Sequence, residues 1–166
     1  MKAILHADKN WGIGKNNSLM FRIPADMQFF KKTTTGNIVV MGSNTLKSFP
    51  QGKPLKDRIN IVLYPEGEDR EDCKIVRTLD GLFSEIKKYP PEKVFVIGGQ
   101  MMYKTLLPYC DEVLVTKVEA EGDADVFFEN LDKNKNFKLI YESEPTETNG
   151  YTIKFTTYKN LRVKQY

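Results

Sequence analysis

Histidine occurs once in this sequence of 166 residues, tryptophan once and cysteine twice, and each scarcity closes off a chemistry. A lone histidine, His6, builds no His cluster, and Cys73 and Cys110 lack zinc spacing, so no metal site is expected. A Ser-His-Asp or Cys-His nucleophile has to run through His6, which sits within a strand expected to be buried and reads better as core packing or a cavity lining. Two cysteines without a C-x-x-C spacing read as free thiols of a reducing compartment. That places the protein in the cytoplasm and makes the sequon-like Asn16-Asn17-Ser18 a chance match. No apolar run approaches the roughly 18 residues that span a bilayer. The start, Met1-Lys2-Ala3-Ile4-Leu5-His6, soon meets Asp8 and Lys9, so neither a membrane nor a signal peptide is expected. Charge of one sign is lacking too: 25 Lys and Arg against 22 Asp and Glu give a net +3. That is too mild and too spread for nucleic acid, yet compatible with small anionic ligands. No G-x-x-x-x-G-K-[ST] run supports nucleoside triphosphate hydrolysis. Asp123-Ala124-Asp125 begins like a calcium loop but lacks the following Gly and Glu, and reads as a solvated turn.

What is present describes one ordinary domain, 40% hydrophobic and 28% charged. Ala3–Ala7 reads as a first strand, followed by the Gly-rich polar loop Lys9–Ser18. A helix is expected from Pro24 to about Thr33, because Pro suits the first helical position. Asn37–Gly42 reads as a buried strand running into a short helix at Ser43-Asn44-Thr45, and Ile59–Tyr64 and Lys74–Val76 as further strands. Asp80–Lys88 is an amphipathic helix with Leu82, Phe83 and Ile86 inward. Lys93–Gly99 is another strand ending in glycine, entering a helix over Gln100–Leu107, and Glu112–Val118 follows as a strand. Phe137–Glu142 and Tyr151–Lys159 close the chain, with a turn at Asn149-Gly150 between them. Alternating strands and helices predict a parallel α/β sheet with antiparallel strands added at the end, and ligands beyond the carboxyl ends of its strands.

Three features within that frame carry chemistry. In Ile23-Pro24-Ala25-Asp26-Met27-Gln28-Phe29-Phe30 one carboxylate interrupts the apolar positions Ile23, Met27 and Phe30. Buried, such a group either shifts toward its neutral form or finds a partner, which suits proton transfer. In the first turn of a helix it serves equally well to satisfy free backbone N–H groups. The second feature is a pair of strand–glycine–helix junctions, at Gly42 and at Gly98-Gly99. Each is an anion site if its glycine does more than turn the chain, and two fit a dinucleotide's diphosphate. The full G-x-G-x-x-G is absent, so an ordinary Rossmann domain is not expected. The third is Arg58, immediately before a buried strand: a clamp for a carboxylate, or a plain surface cation.

Taken in order, several segments resemble dihydrofolate reductase. They are Trp11-Gly12-Ile13-Gly14-Lys15-Asn16-Asn17, Ile23 to Lys31, Val40-Met41-Gly42 with Thr45, Pro54-Leu55 with Arg58 to Leu63, Val94 to Gly99 with Tyr103, and Leu107-Pro108 through Thr116. The resemblance runs from Ile4 to about Tyr158. It implies a single α/β domain over residues 1–159 with a solvated tail at 160–166. Its sheet would be twisted, eight-stranded and mostly parallel, with an antiparallel C-terminal strand and about four flanking helices. It also implies NADPH-dependent reduction of 7,8-dihydrofolate to tetrahydrofolate by a monomer. By that analogy Asp26 binds the pterin and assists protonation of N5, and Thr116 steadies it. Ile4, Met27, Phe30, Phe49 and Leu55 wall the substrate, and Arg58 holds its glutamate carboxylate. A mobile loop from Gly14 to Met20, including Asn17, Ser18 and Leu19, closes over the nicotinamide beside His6, Ile13 and Ile97. Gly42, Ser43, Asn44, Thr45, Leu63, Tyr64, Arg77, Gly98, Gly99, Gln100, Met102 and Tyr103 complete the cofactor set.

Four departures from the family pattern stand out. Leu19-Met20-Phe21 replaces a Leu-Pro-Trp, removing an indole donor. Ser43-Asn44 replaces a basic pair that grips the cofactor's 2′-phosphate, and Tyr64-Pro65 replaces small hydroxyl residues serving the same group, leaving Arg77 to compensate in part. His6 stands where the family commonly has a small apolar residue. The expectations are weakened discrimination between NADPH and NADH and weakened binding of diaminopyrimidine antifolates. Two alternatives are the pyrimidine reductase of riboflavin synthesis, against which Asp26 and Arg58 speak, and a degenerate folate- or nucleotide-binding protein.

Overall fold

A computed structural model describes residues 1–166. Its strands are β1 (Lys2–Ala7), β2 (Gly12–Gly14), β3 (Ile38–Gly42), β4 (Ile59–Leu63), β5 (Lys74–Val76), β6 (Val94–Gly98), β7 (Glu112–Val118), β8 (Val126–Phe127), β9 (Phe137–Glu142), β10 (Thr146–Thr148) and β11 (Tyr151–Asn160). The helices are α1 (Pro24–Thr34), α2 (Ser43–Ser48), α3 (Leu79–Ile86) and α4 (Gln100–Leu106). The main sheet runs β10-β11-β7-β1-β6-β3-β4-β5, with β9 also on β11. β10 pairs Tyr151–Ile153 of β11 and β9 pairs Thr156–Asn160, so the two share one edge position and the sheet has eight strand positions. From β7 to β5 every pairing is parallel, and β11 adds antiparallel pairings at the end. The α/β sheet with four helices is the architecture expected from the sequence.

The parallel strands are covered on both faces, which is why they read as unbroken apolar runs. Val39, Val40, Ile61, Val62, Val94 and Val96 are fully buried. On one face Leu5, Val40, Ile61, Val96 and Val115 pack with Leu82 and Ile86 of α3 and Leu106 of α4. On the other, Val39, Met41, Val62 and Ile75 pack with Leu46 of α2, and Ile23 at the start of α1 joins Phe21, Val118 and Ile153. Three short strands went unread in the sequence: β2 and β8 pair as a separate ribbon, and β10 is too brief for a periodic pattern.

Two exposed segments gain contacts that the sequence does not show. Asp123 and Asp125 are exposed but not idle: Lys15 Nζ lies 2.6 Å from Asp123 Oδ2, the Asn16 N–H donates to Asp125 Oδ2 at 3.1 Å, and the Asp125 N–H donates to the Gly14 carbonyl. The segment is a clamp on the Gly-rich loop. The C-terminal residues, expected to be solvated, fold back. The Lys164 N–H donates to the Pro108 carbonyl, and the Tyr166 ring stacks on Phe83 with centroids 5.4 Å apart. An aromatic at the chain end found an aromatic cleft that only the folded chain creates.

Candidate active site

α1 begins without a side-chain cap at Ile23 and with Pro24 in its first turn. Asp26 therefore stands where a first-turn acid normally folds back on free N–H groups. It points elsewhere. Thr116 of β7 donates its hydroxyl to Asp26 Oδ1 at 2.6 Å, and His6 Nδ1 of β1 lies 3.0 Å from Oδ2. His6 and Thr116 are register partners on the adjacent strands β1 and β7, so the sheet presents both side chains together. The Asp26 side chain keeps 14% of its exposure and His6 only 5%. Of the two local readings of Asp26, the geometry favours a carboxylate held by side chains of the sheet over one folded back on its own helix.

The far end of α1 carries the opposite charge. Arg58 donates from Nη1 to Thr34 Oγ1 at 3.1 Å and from Nε to the Lys56 carbonyl at 2.8 Å. These bonds occupy two of the guanidinium's five N–H donors and leave three. Burial lowers its pKa and the neighbouring Asp57 opposes that shift; an arginine stays charged regardless. Asp26 and Thr34 are eight residues apart, roughly 12 Å along the helix axis. Between these ends Phe30 is half-buried and Met27 is 48% exposed. Phe49, Leu55 and Ile97 pack at the edge of the α2 cluster, and Ile4 is buried in β1, its carbonyl accepting from the Tyr103 hydroxyl at 2.8 Å. Burial, with Asp26's charge nearby, pushes the Tyr103 hydroxyl far above its usual range, so it remains a neutral donor.

At the carboxyl ends of the parallel strands two ends lie together. β3 and β6 are neighbours, and Met41 pairs with Gly98 after a register shift. Gly42 and Gly99 cap α2 and α4, and neither helix has a side-chain cap, leaving first-turn N–H groups for other acceptors. Gly98 has φ +141°, the Gly98–Gly99 peptide is cis, and a Cβ at Gly98 would meet Thr45 Oγ1 at 3.1 Å. The backbone is open because both glycines lack side chains. Met102 is buried below Gly42, and Leu63 is half-buried against the main core with Ile13. The Gly-rich loop reaches over: Asn17 Nδ2 donates to the Asn44 carbonyl at 3.1 Å, Ser18 bonds back to Lys15, and Leu19 is 66% exposed. Gln100 is tied to the Phe127 carbonyl. Ser43 is half-buried with no hydrogen bond of its own side chain.

Arg77 stands apart from this set. Its Nε donates to the Gly67 carbonyl at 2.8 Å and its Nη2 pairs with Asp69 Oδ1 at 2.8 Å. Tyr64 packs under Lys47, whose ammonium lies 4.9 Å from the ring centroid. The residue whose role sequence reasoning missed is Asp8. Buried, it accepts from the N–H groups of Asn10, Gly12 and Gly122, pinning the Gly-rich loop at its root. The D-x-x-x-G spacing from Asp8 to Gly12 is the one local signal for it.

Residues 1–160 match the sequence model of the family described as dihydrofolate reductase. A dihydrofolate reductase of Bacillus subtilis is 36% identical over 160 residues, covering 94% of this chain and 92% of that protein. One from Schistosoma mansoni is 36% identical over 176 residues, 95% of each chain. The bifunctional dihydrofolate reductase–thymidylate synthase of Daucus carota is 36% identical over 97% of this chain, which covers 34% of that protein.

Proposed function

This chain belongs to the dihydrofolate reductase family and is an oxidoreductase, and we propose that it reduces 7,8-dihydrofolate to 5,6,7,8-tetrahydrofolate with NADPH, adding hydride at C6 while Asp26 assists protonation of N5. The observation that carries this is α1 itself, with a hydrogen-bonded carboxylate at its start and a guanidinium holding spare donors at its end. A ligand with a planar donor edge at one end and a carboxylate roughly 12 Å away fits both. Dihydrofolate has that shape.

Each oxygen of Asp26 keeps a lone pair beyond those facing Thr116 and His6, enough to accept from the pterin's 2-amino group and N3–H. Met27, Phe30, Phe49 and Leu55 line the path of the ring and benzoyl group, and Arg58 pairs the glutamate. The open backbone at Gly42, Gly98 and Gly99, with the Thr45 hydroxyl between them, fits a diphosphate. NADPH supplies the hydride when bound. Loop residues 14–20, tied to α2 through Asn17, then keep water from the reacting rings. In this reading residues 1–159 are the catalytic unit, the enzyme works as a monomer in the cytoplasm, and no helix is long and apolar enough to cross a membrane.

The test is NADPH oxidation with dihydrofolate for wild type and Asp26→Asn. Turnover at neutral pH that drops by about a hundredfold or more in the variant supports the assignment. No turnover in wild type sinks it in favour of a binding protein. Turnover that Asp26→Asn leaves intact removes Asp26 from the chemistry.

A further inference from the structure

His6 is the chain's sole histidine, and it carries no step of the reduction as described. Its ring is closed off from solvent, with Nδ1 facing Asp26 Oδ2 and Nε2 buried without a hydrogen-bond partner. An ionised carboxylate only accepts, so Nδ1 must carry the proton, and in the neutral ring Nε2 is then bare. Conversely, Asp26 has a donor on each oxygen, Thr116 on one and His6 on the other.

We propose that His6 is a positioning residue for Asp26, its Nδ1–H holding one carboxylate oxygen as the Thr116 hydroxyl holds the other. This rests on Asp26 being the substrate-facing carboxylate of the reductase. His6 turns the carboxylate so that its remaining lone pairs face outward as a fork. Few other groups intervene. Phe21 from the loop, its ring centroid 6.2 Å from that of His6, and Thr116 from β7 are uncharged. Tyr103 from α4 stays neutral and donates to Ile4, and no lysine or arginine pairs with His6 or Asp26.

Because there is a single histidine, its ring signals in 1H–15N spectra need no assignment. In ligand-free protein the expected result is an Nδ1–H tautomer in wild type, and an Nδ1–H resonance that moves in Asp26→Asn. An Nε2–H tautomer in wild type, or an Nδ1–H resonance that Asp26→Asn leaves unmoved, overturns the contact. The kinetic arm uses His6→Asn, which keeps an N–H near the place of Nδ1 but cannot ionise, and His6→Ala, which removes the donor. His6→Ala should raise KM for dihydrofolate about tenfold and lower kcat less, and His6→Asn should restore most of the loss. An unchanged KM in His6→Ala, or no rescue by His6→Asn, overturns the idea. An Nδ1–H signature that depends on Asp26, in a protein without dihydrofolate turnover, upholds the pair and rejects the reductase reading.

Discussion

Thr116 meets Asp26 across 90 residues of sequence, and it is 1% exposed on a strand that has no other reason to bury a hydroxyl there. Replacing it by Val keeps the shape and removes one donor to a charged acceptor, a loss of about 1.5–3 kcal/mol. The expected outcome is a kcat/KM for dihydrofolate lower by about ten- to a hundredfold in Thr116→Val, with Thr116→Ser largely restored. Gly98 offers a second residue-scale test. Its φ of +141° and the nearby Thr45 hydroxyl leave no room for a side chain, so Gly98→Ala should raise KM for the cofactor far more than KM for dihydrofolate. Equal effects on both would remove Gly98 from the cofactor cradle.

The Gly-rich loop is an element stabilised by another element. Asp8 fixes its root, and residues 120–126 hold its middle through the Asp125 and Asp123 carboxylates. Asp125→Ala removes one of these ties from an exposed site, so the fold should stand while the loop loosens. Steady-state rates should show a severalfold lower kcat/KM for NADPH, with Tm within about 2 °C of wild type. The β4–β5 connection is where the proposed use of NADPH can be tested. Arg77 is bound to Asp69 and Gly67 in the same loop, and an exposed ion pair of this kind holds weakly. If Arg77 swings to the 2′-phosphate, Arg77→Ala will raise KM for NADPH about tenfold and leave KM for NADH unchanged. Equal changes for both cofactors would show that nothing in this loop reads the phosphate. The weakened preference expected from Ser43, Asn44 and Tyr64 predicts a ratio of kcat/KM, NADPH over NADH, below about a thousandfold.

At the scale of the whole molecule, the chain ends are joined to the core. Tyr166 stacks on Phe83 and meets Tyr109 edge-on at 6.2 Å, and burial raises its hydroxyl's pKa. The aromatic contacts contribute about 0.5–1.5 kcal/mol beyond the area they cover. Tyr166→Ala should therefore lower Tm by about 2–6 °C in calorimetry and leave kcat untouched, since the tail lies on the α3–α4 face and not beside α1. The two thiols add nothing covalent: both cysteines are free, and burial pushes Cys110 up to about 12. Reducing agents should leave activity unchanged.

What the sequence determined by itself was the part of the protein governed by short-range pattern. Buried strands announced themselves as runs such as Ile38–Met41 and Ile59–Leu63 because a parallel sheet covers both faces. Helix starts followed from Pro24 and from the glycines that end β3 and β6. Asp26 was visible as an acid among apolar neighbours, but whether it capped its own helix or bonded side chains of the sheet was not, since a first-turn carboxylate can do either. That choice was made by strand pairing, which sets His6 and Thr116 side by side on β1 and β7, 110 residues apart in the chain, yet both within reach of one carboxylate. The same holds for the clamp at Asp123 and Asp125, the docking of Tyr166 and the capture of Arg77 by Asp69. Each depends on where distant segments land. Periodicity and propensity record a residue's local geometry, and only the folded chain decides which polar groups must satisfy one another.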